Sequence, residues 1–342
     1  MTQLKTLDSY LTDWAAGRAD RRDTAITVKA IAQACTGISD LLARGALATS
    51  FGAMTGRRCD IDPQRELDVL ANDAIIGALK EAPVALLVSE ELDEALPLRE
   101  GAALIVTVDP LDGASNADTN AAIGTIFSVL PNETNPVRLS VGTDQLAAGF
   151  AMYGPQTVFA LTVGAGTLIF TLNRGTGHFE AAAGAVTIPP VAAEFAINAA
   201  NHWHWDEVIR TYVDDCLAGK EGPRGADFNM RWTGSFVAEV YRILIRGGVY
   251  LYPGDRRKGY ANGRLRLVYE ASPVAWVIEQ AQGAASTGRG RILEQSVLTW
   301  HQRTPVIIGS RQEVAYIERL QHDPHTFAER SPLFGRRGLF RV

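Results

Sequence analysis

Four acidic side chains stand where two short apolar runs end: Glu90-Glu91 follows the run 84–88, and Asp109 and Asp112, within Asp109-Pro110-Leu111-Asp112-Gly113, follow the run 102–108. Short apolar stretches bounded by Gly and Pro read as buried strands, and the exit of such a strand is where α/β enzymes place their chemistry. Carboxylates and a backbone carbonyl are hard oxygen ligands, suited to Mg²⁺ or Mn²⁺ rather than Zn²⁺, and neither His nor Cys accompanies them. Asp, Pro and Gly are also ordinary turn residues, so Asp-Pro-Leu-Asp-Gly taken alone reads equally as a plain turn. The number of acids weighs against that reading. Gathered without a cation they would raise one another's pKa and cost stability, a conflict that a divalent ion removes.

Positioning these acids requires an ordered scaffold. Leu4, Leu7, Leu11 and Trp14 recur at helical spacing and predict a packing helix. A second helix is expected over 24–42, with Gly45 as its stop. The stretch 46–63 is rich in Gly, Ser, Thr and Arg and reads as a mobile functional loop, with Asp62 near its end. Helical periodicity returns over 65–80, carrying Asp68, Asn72 and Asp73. Strands are expected at 84–88, 104–108 and 124–130, and the runs from 149 to 180, broken by Gly154-Pro155, Gly164-Ala165-Gly166 and Arg174-Gly175, read as an antiparallel meander. Gly164-Ala165-Gly166 reads as a hairpin, not a phosphate loop, because no helical pattern follows it. Beyond Pro189-Pro190, helices are expected at 203–217, 235–246 and 273–282, and strands at 249–252, 265–269 and 306–308. The expected division is 1–190, 191–322 and a tail, 323–342.

A chain of 342 residues, 46% of them hydrophobic, can bury a substantial core, in two domains or one large layered one. The net charge of -5 gives no general attraction to nucleic acid or to an anionic membrane, so basic groups that bind an anionic substrate must be clustered locally. Cys35, Cys59 and Cys216 lack Cys-x-x-Cys spacing, which argues against a disulfide scaffold or zinc knuckle and fits a reducing cytoplasm. No apolar run approaches the roughly 20 residues that span a bilayer. His202 and His204 read as packing near a helix start, not as a metal pair, and Arg256, Arg257 and Lys258 as a solvated turn.

Three groups of residues, Val88-Ser89-Glu90-Glu91, then Asp109-Pro110-Leu111-Asp112-Gly113-Ala114-Ser115-Asn116, then Leu265-Arg266-Leu267-Val268-Tyr269-Glu270 with Pro273 close behind, resemble class I fructose-1,6-bisphosphatase in order and spacing. The resemblance extends to 67–73, to Gly234-Ser235-Phe236-Val237-Ala238-Glu239 and to His301-Gln302-Arg303-Thr304-Pro305. Asp-Pro-x-Asp-Gly alone marks the wider lithium-sensitive phosphatase superfamily, which includes inositol monophosphatases; the C-terminal motifs are those of the bisphosphatase branch.

The resemblance implies an α/β (α+β) fold, layered α-β-α-β-α with mixed sheets. It also implies Mg²⁺-dependent hydrolysis of the 1-phosphate of fructose 1,6-bisphosphate by metal-activated water, with on the order of two or three ions per subunit and Mn²⁺ as a substitute. The implied metal ligands are Glu90, Asp109, Asp112 and Glu270 with the carbonyl of Leu111, Glu91 as a further acid, and Asp62 on loop closure. Asp68 and Glu91, together with Glu90, are the implied catalytic acids and bases. Asp112 and the backbone amides of Gly113, Ala114 and Ser115 would hold the reacting phosphate. Asn198, Arg231, Trp232, Tyr252 and Arg264 would hold the remote one, with Arg231 shared across the interface of a homotetramer.

Three departures stand out. Ala114 replaces a usual serine, Trp232 a usual tyrosine and Arg264 a usual lysine, so the remote-phosphate pocket differs from that of the relatives. Sedoheptulose 1,7-bisphosphate is therefore an alternative substrate, in carbon fixation rather than gluconeogenesis; inositol phosphates and phosphonucleotides are a second alternative, and an inactive sugar-phosphate sensor the non-enzyme one. The residues 18–24 and Ala103-Leu104 lack the pattern of AMP-controlled relatives, which implies weak or absent AMP inhibition, and the cysteine insertion of thioredoxin-controlled forms is missing.

Overall fold

The computed structural model describes residues 5–47, 54–59, 62–132, 142–181 and 183–322, side chains excepted at 46, 54–59 and 62–64. The expected tail, 323–342, lies outside them. In chain order the first half comprises β1 (Lys5–Thr6), α1 (Leu7–Ala15), α2 (Ala19–Arg44), β2 (Met54–Cys59), β3 (Asp62–Arg65), α3 (Glu66–Lys80), β4 (Val84–Ser89), β5 (Leu96–Pro97), β6 (Leu104–Asp112), β7 (Ile123–Pro131), β8 (Ala147–Tyr153), β9 (Thr157–Thr162), β10 (Thr167–Asn173) and β11 (His178–Ala181). The second half comprises β12 (Glu194–Ala196), α4 (Glu207–Leu217), β13 (Asn229–Met230), α5 (Phe236–Arg246), β14 (Val249–Tyr252), β15 (Leu265–Arg266), α6 (Ser272–Gln280), β16 (Ala284–Ser286), β17 (Arg303–Thr304), β18 (Val306–Gly309) and α7 (Arg311–His322).

A nine-stranded sheet has the order β1-β11-β10-β9-β8-β7-β6-β4-β5, and a five-stranded sheet the order β13-β12-β14-β18-β16. Period-two alternation sends opposite faces of each strand into different cores. Phe127, Val129 and Phe159 pack with Val28, Ile31 and Leu67 of α2 and α3. Their neighbours Ile126, Phe150 and Val158 pack with Val237 and Val240 of α5 and Val274 and Ile278 of α6, which also meet Tyr250 and Ile308 of the second sheet. The far face of that sheet, Val249, Leu251 and Ile307, packs against Tyr212 of α4 and Ile317 of α7. The result is the expected five-layer α-β-α-β-α arrangement with mixed sheets. Each fully buried Phe or Ile adds about 2 kcal/mol to this scaffold by leaving water.

Several expectations change. The stretch 46–63 is not irregular throughout: β2 and β3 pair as an antiparallel hairpin with a register shift. The run 265–269 is strand only to Arg266, after which Leu267–Ala271 forms a π-helical turn leading into α6. In line with the weight of the acids against a plain turn, β6 runs on through Asp112 with a register shift against β7 between Asp109 and Asp112. Gly164 and Gly166, both at positive φ, do link β9 to β10 as an antiparallel hairpin. Among the described residues no helix is long and apolar enough to cross a membrane. Cys35 and Cys216 are free and buried.

Candidate active site

Because β4 and β6 are adjacent and parallel, their C-terminal ends emerge side by side, and Glu90 N donates to Val108 O at 3.0 Å. Glu90 and Glu91 on one strand end therefore lie next to Asp109 and Asp112 on the other. The bulge in β6 is closed by Leu111 N donating to Asp109 Oδ1 at 3.0 Å, and by Thr125 Oγ1 donating to Pro110 O at 2.8 Å. Glu270 arrives from the far side of the sequence on the π-helical turn, which is tied to β6 by Thr107 Oγ1 donating to Val268 O at 3.2 Å. Carboxylate oxygens of Glu90, Asp109 and Glu270 all lie within 4.8 Å of one another.

This convergence is electrostatically costly. Asp109, Asp112 and Glu270 are buried. Burial first, and then the charges of Glu90, Asp112, Glu270 and more weakly Glu91, hold the Asp109 carboxyl well above the usual range. Burial followed by Glu90 and Asp112 does the same to Glu270. Asp112 is pushed up to about 6 by burial, opposed by the amides of Val237 and Phe236 at the start of α5; Val237 N lies 3.1 Å from Asp112 Oδ2. Hard oxygens that are buried, convergent and mutually repulsive are the donor set a hard divalent cation fits.

Asp68 is buried near the start of α3, accepts from Arg65 N at 2.8 Å through Oδ2, and has no hydrogen-bond partner at Oδ1 among the described residues. Burial pushes its carboxyl up to about 6. One helical turn on, Asn72 Oδ1 accepts from Ser89 Oγ at 2.8 Å, and Ser89 Oγ accepts from Glu91 N at 3.3 Å, which ties α3 to the segment bearing Glu90 and Glu91. Asp73, on the other face, is exposed. Asp62 opens β3, but its side chain lies outside the described residues.

Gly113 has φ 77, a left-handed conformation natural to glycine, and launches a 3₁₀ turn, Ala114–Thr119, with no side-chain cap. The opening amides of such a turn have no partner within it. Asn116 Nδ2 donates to Gly234 O at 3.0 Å, joining this turn to the start of α5.

The residues expected at the remote phosphate fall into two groups. Tyr252 lies within reach of the charges of Arg264 and Glu270. Trp232 stacks on Tyr250 at 6.0 Å and meets Tyr252 at 6.1 Å. These four share one aromatic, cationic wall beside the acids. Asn198 caps a 3₁₀ turn through Ala200 N at 3.2 Å, and Arg231, following edge strand β13, is half exposed with its Nε 3.5 Å from Glu194. His202 packs against Trp203 and Trp205, and Arg257 is paired with Asp255.

Arg266 is a further member of the site. It is buried, its Nη2 lies 3.8 Å from Glu90 Oε1, and its backbone N–H donates to Glu270 Oε2. A lone arginine inside an otherwise apolar run, four residues before an acid, is the signal that could have found it.

The family model for the N-terminal domain of fructose-1-6-bisphosphatase matches residues 7–183, and that for the C-terminal domain matches 188–322. Fructose-1,6-bisphosphatase class 1 from Rhizobium meliloti (strain 1021) is 52% identical over 98% of this chain and 99% of its own. The protein of the same name from Rhodopseudomonas palustris (strain HaA2) is 52% identical over 100% of this chain and 98% of its own. Among solved structures, Leishmania major fructose-1,6-bisphosphatase in holo form superimposes with a TM-score of 0.87 at 32% identity, covering 94% of this chain and 99% of that one. With both domain models matched and half the residues shared end to end, the chain belongs to the class 1 fructose-1,6-bisphosphatase family.

Proposed function

We propose that the chain hydrolyses the 1-phosphate of fructose 1,6-bisphosphate, releasing fructose 6-phosphate and inorganic phosphate, with Mg²⁺ as its cation. The observation that carries this reading is the meeting of Glu90, Asp109 and Glu270, from three distant segments, within 4.8 Å in a member of this family. Asp112, the Leu111 carbonyl, Glu91 and, from the hairpin, Asp62 are the further donors. Bound divalent ions would neutralise phosphate oxygens, acidify a water and stabilise the leaving alkoxide.

The chain's own groups do the rest. The amides of Gly113, Ala114 and Ser115 hold the reacting phosphate, a task for which the missing hydroxyl at Ala114 is secondary. Asp68, with a carboxyl pushed up to about 6, and Glu91 accept the proton of the attacking water near neutral pH. Arg264 and Tyr252, with Trp232 and Asn198, bind the remote phosphate, and Arg231 reaches a neighbouring subunit of a homotetramer from the sheet edge. In this reading residues 1–190 carry most of the acids, while 191–322 contribute Glu270 and the remote-phosphate groups.

Phosphate release from fructose 1,6-bisphosphate, sedoheptulose 1,7-bisphosphate and inositol monophosphate, each with Mg²⁺ and with chelator, tests the reading. The fructose substrate should give the highest kcat/KM and chelator should stop turnover. A higher kcat/KM on either other substrate would reassign the specificity, and binding of all three without phosphate release would make the chain a sensor.

A further inference from the structure

The His301-Gln302-Arg303 run grips the turn that delivers Glu270. A π-helical turn spaces its hydrogen bonds one residue wider than an α-helix, and such turns need external support. Here Ser272 N donates to Leu267 O across the turn. Leu267 N donates outward to Gln302 O at 2.7 Å, and Arg266 pairs with Arg303 in a short antiparallel ladder. Tyr269, fully buried next to Glu270, places its hydroxyl 2.8 Å from His301 Nδ1, with the two rings edge to face at 5.9 Å. The Gln302 side chain closes the loop that carries His301: Oε1 accepts from Leu298 N at 2.7 Å and Nε2 donates to Ser296 O at 3.0 Å.

Relaxation of the turn to α-helical spacing would shift it by one residue, rotating Glu270 by about 100° around the axis and away from Glu90 and Asp109. We propose that His301 is a positioning residue for the metal site, acting through the Tyr269 hydroxyl to hold the π-helical register that aims Glu270 at Glu90 and Asp109. The inference rests on the metal-site reading of those three acids.

Calorimetric titration of the metal-free full chain with Mn²⁺ tests it, alongside the Mg²⁺ concentration for half-maximal phosphate release. His301→Leu and Tyr269→Phe should each weaken Mn²⁺ binding about tenfold, the scale for residues that orient metal ligands, while KM for the sugar bisphosphate stays put. His301→Asn, whose side-chain amide occupies the place of Nδ1, should restore affinity to within about twofold of wild type. The Tyr269→Phe/His301→Leu double variant should be no worse than the weaker single one. Tyr269→Phe removes one oxygen and leaves the ring, so it reads the same bond should His301→Leu fail to fold. Unchanged Mn²⁺ affinity in Tyr269→Phe, additive losses in the double variant, or no rescue by His301→Asn would overturn the proposal. Glu270→Gln separates the two levels. Weakened binding there with none in Tyr269→Phe sinks this inference alone, whereas unchanged binding in Glu270→Gln sinks the metal-site reading and this inference with it.

Discussion

Two sets of buried carboxylates sit in the same molecule under opposite regimes. In the second half, Glu313 takes Arg224 Nη2 on both oxygens, at 2.8 and 2.7 Å, and Tyr212 OH at 2.9 Å. Glu239 likewise takes Thr233 N at 2.8 Å, the Thr233 hydroxyl at 3.1 Å and Arg242 Nε at 3.0 Å. Each of these acids is matched by a guanidinium. At the ends of β4 and β6 and on the π-helical turn, by contrast, burial holds Asp109, Asp112 and Glu270 above their ordinary pKa, and neighbouring carboxylates push Asp109 and Glu270 further in the same direction. Burial of charge is tolerated where it is paired. An acid cluster whose members raise one another's pKa is a stored demand for positive charge, and that demand is what marks the site.

Neutralising one acid in each set should break the comparison most sharply. Glu90→Gln should cut kcat by on the order of a thousandfold or more while leaving the melting temperature of the metal-free protein unchanged or higher, because one repelling charge has gone. Glu313→Gln should do the reverse, costing about 3 kcal/mol of stability by leaving Arg224 uncompensated, with kcat of the folded fraction intact. Paired melting curves and steady-state rates on both variants decide the matter; near-normal turnover in Glu90→Gln would remove that acid from the site.

The pH dependence sharpens the same contrast. Asp68 and Asp112 are pushed up to about 6, and Asp109 and Glu270 well above their ordinary values. A carboxyl with a folded pKa above its unfolded one binds its proton more tightly when folded. Its contribution to stability is full below the unfolded value, near pH 4, and is lost as pH rises through the folded pKa. The metal-free protein should therefore lose stability as pH climbs through about 6, whereas Mg²⁺ at a hundred times its Kd adds about 2.7 kcal/mol and masks that loss. The gap in melting temperature between Mg²⁺ and chelator should widen with pH. A gap that is constant from acid to neutral pH would mean that the cluster does not bind the ion.

Sequence reading reached different depths in these regions. The strands of the large sheet were legible because Phe127, Val129, Phe150 and Phe159 are buried in continuous apolar runs, and α3 because Leu67, Ala71 and Ile75 keep one apolar face. The β2–β3 hairpin was not, since its polar, arginine-bearing strands carry no period-two pattern. The π-helical turn escaped because Leu267, Val268 and Tyr269 are apolar in any conformation, and only the tertiary grip of Gln302 and His301 selects that one. Asp68, Glu90, Asp109, Asp112 and Glu270 could be named from their types and from a family resemblance. Arg266 left only a faint trace, a lone arginine in an apolar run, and the structure shows its Nη2 3.8 Å from Glu90.

In the proposed reading Arg264 would hold the remote phosphate through charge and geometry together. Its guanidinium lies over the Tyr260 ring at 5.1 Å and acts on Tyr252 through its charge. Arg264→Ala should raise KM for the bisphosphate on the order of tenfold or more with a smaller change in kcat, since the group binds the ground and transition states alike. Arg264→Lys should lie between, because an ammonium keeps the charge and loses the fork. An equal loss in kcat with KM unmoved would place Arg264 in the chemical step instead.

The smallest expected effect concerns the N-terminal end of α2, where AMP-controlled relatives carry a glycine-rich loop. Here α2 begins at Ala19 behind Arg18, which supplies no side-chain cap and folds back on Asp20 through Nε and Nη2 at 3.0 and 2.9 Å. Asp20, in the first turn, adds negative charge to the end of the helix that would otherwise favour an anion. Ala103-Leu104, leading into β6, offers neither an ammonium nor a phenol to a nucleotide. Micromolar AMP should therefore leave the rate on fructose 1,6-bisphosphate unchanged, at both low and saturating Mg²⁺. Inhibition at that concentration would show that a nucleotide pocket survives without the usual residues, and Asp20→Ala would then test whether the helix terminus forms part of it.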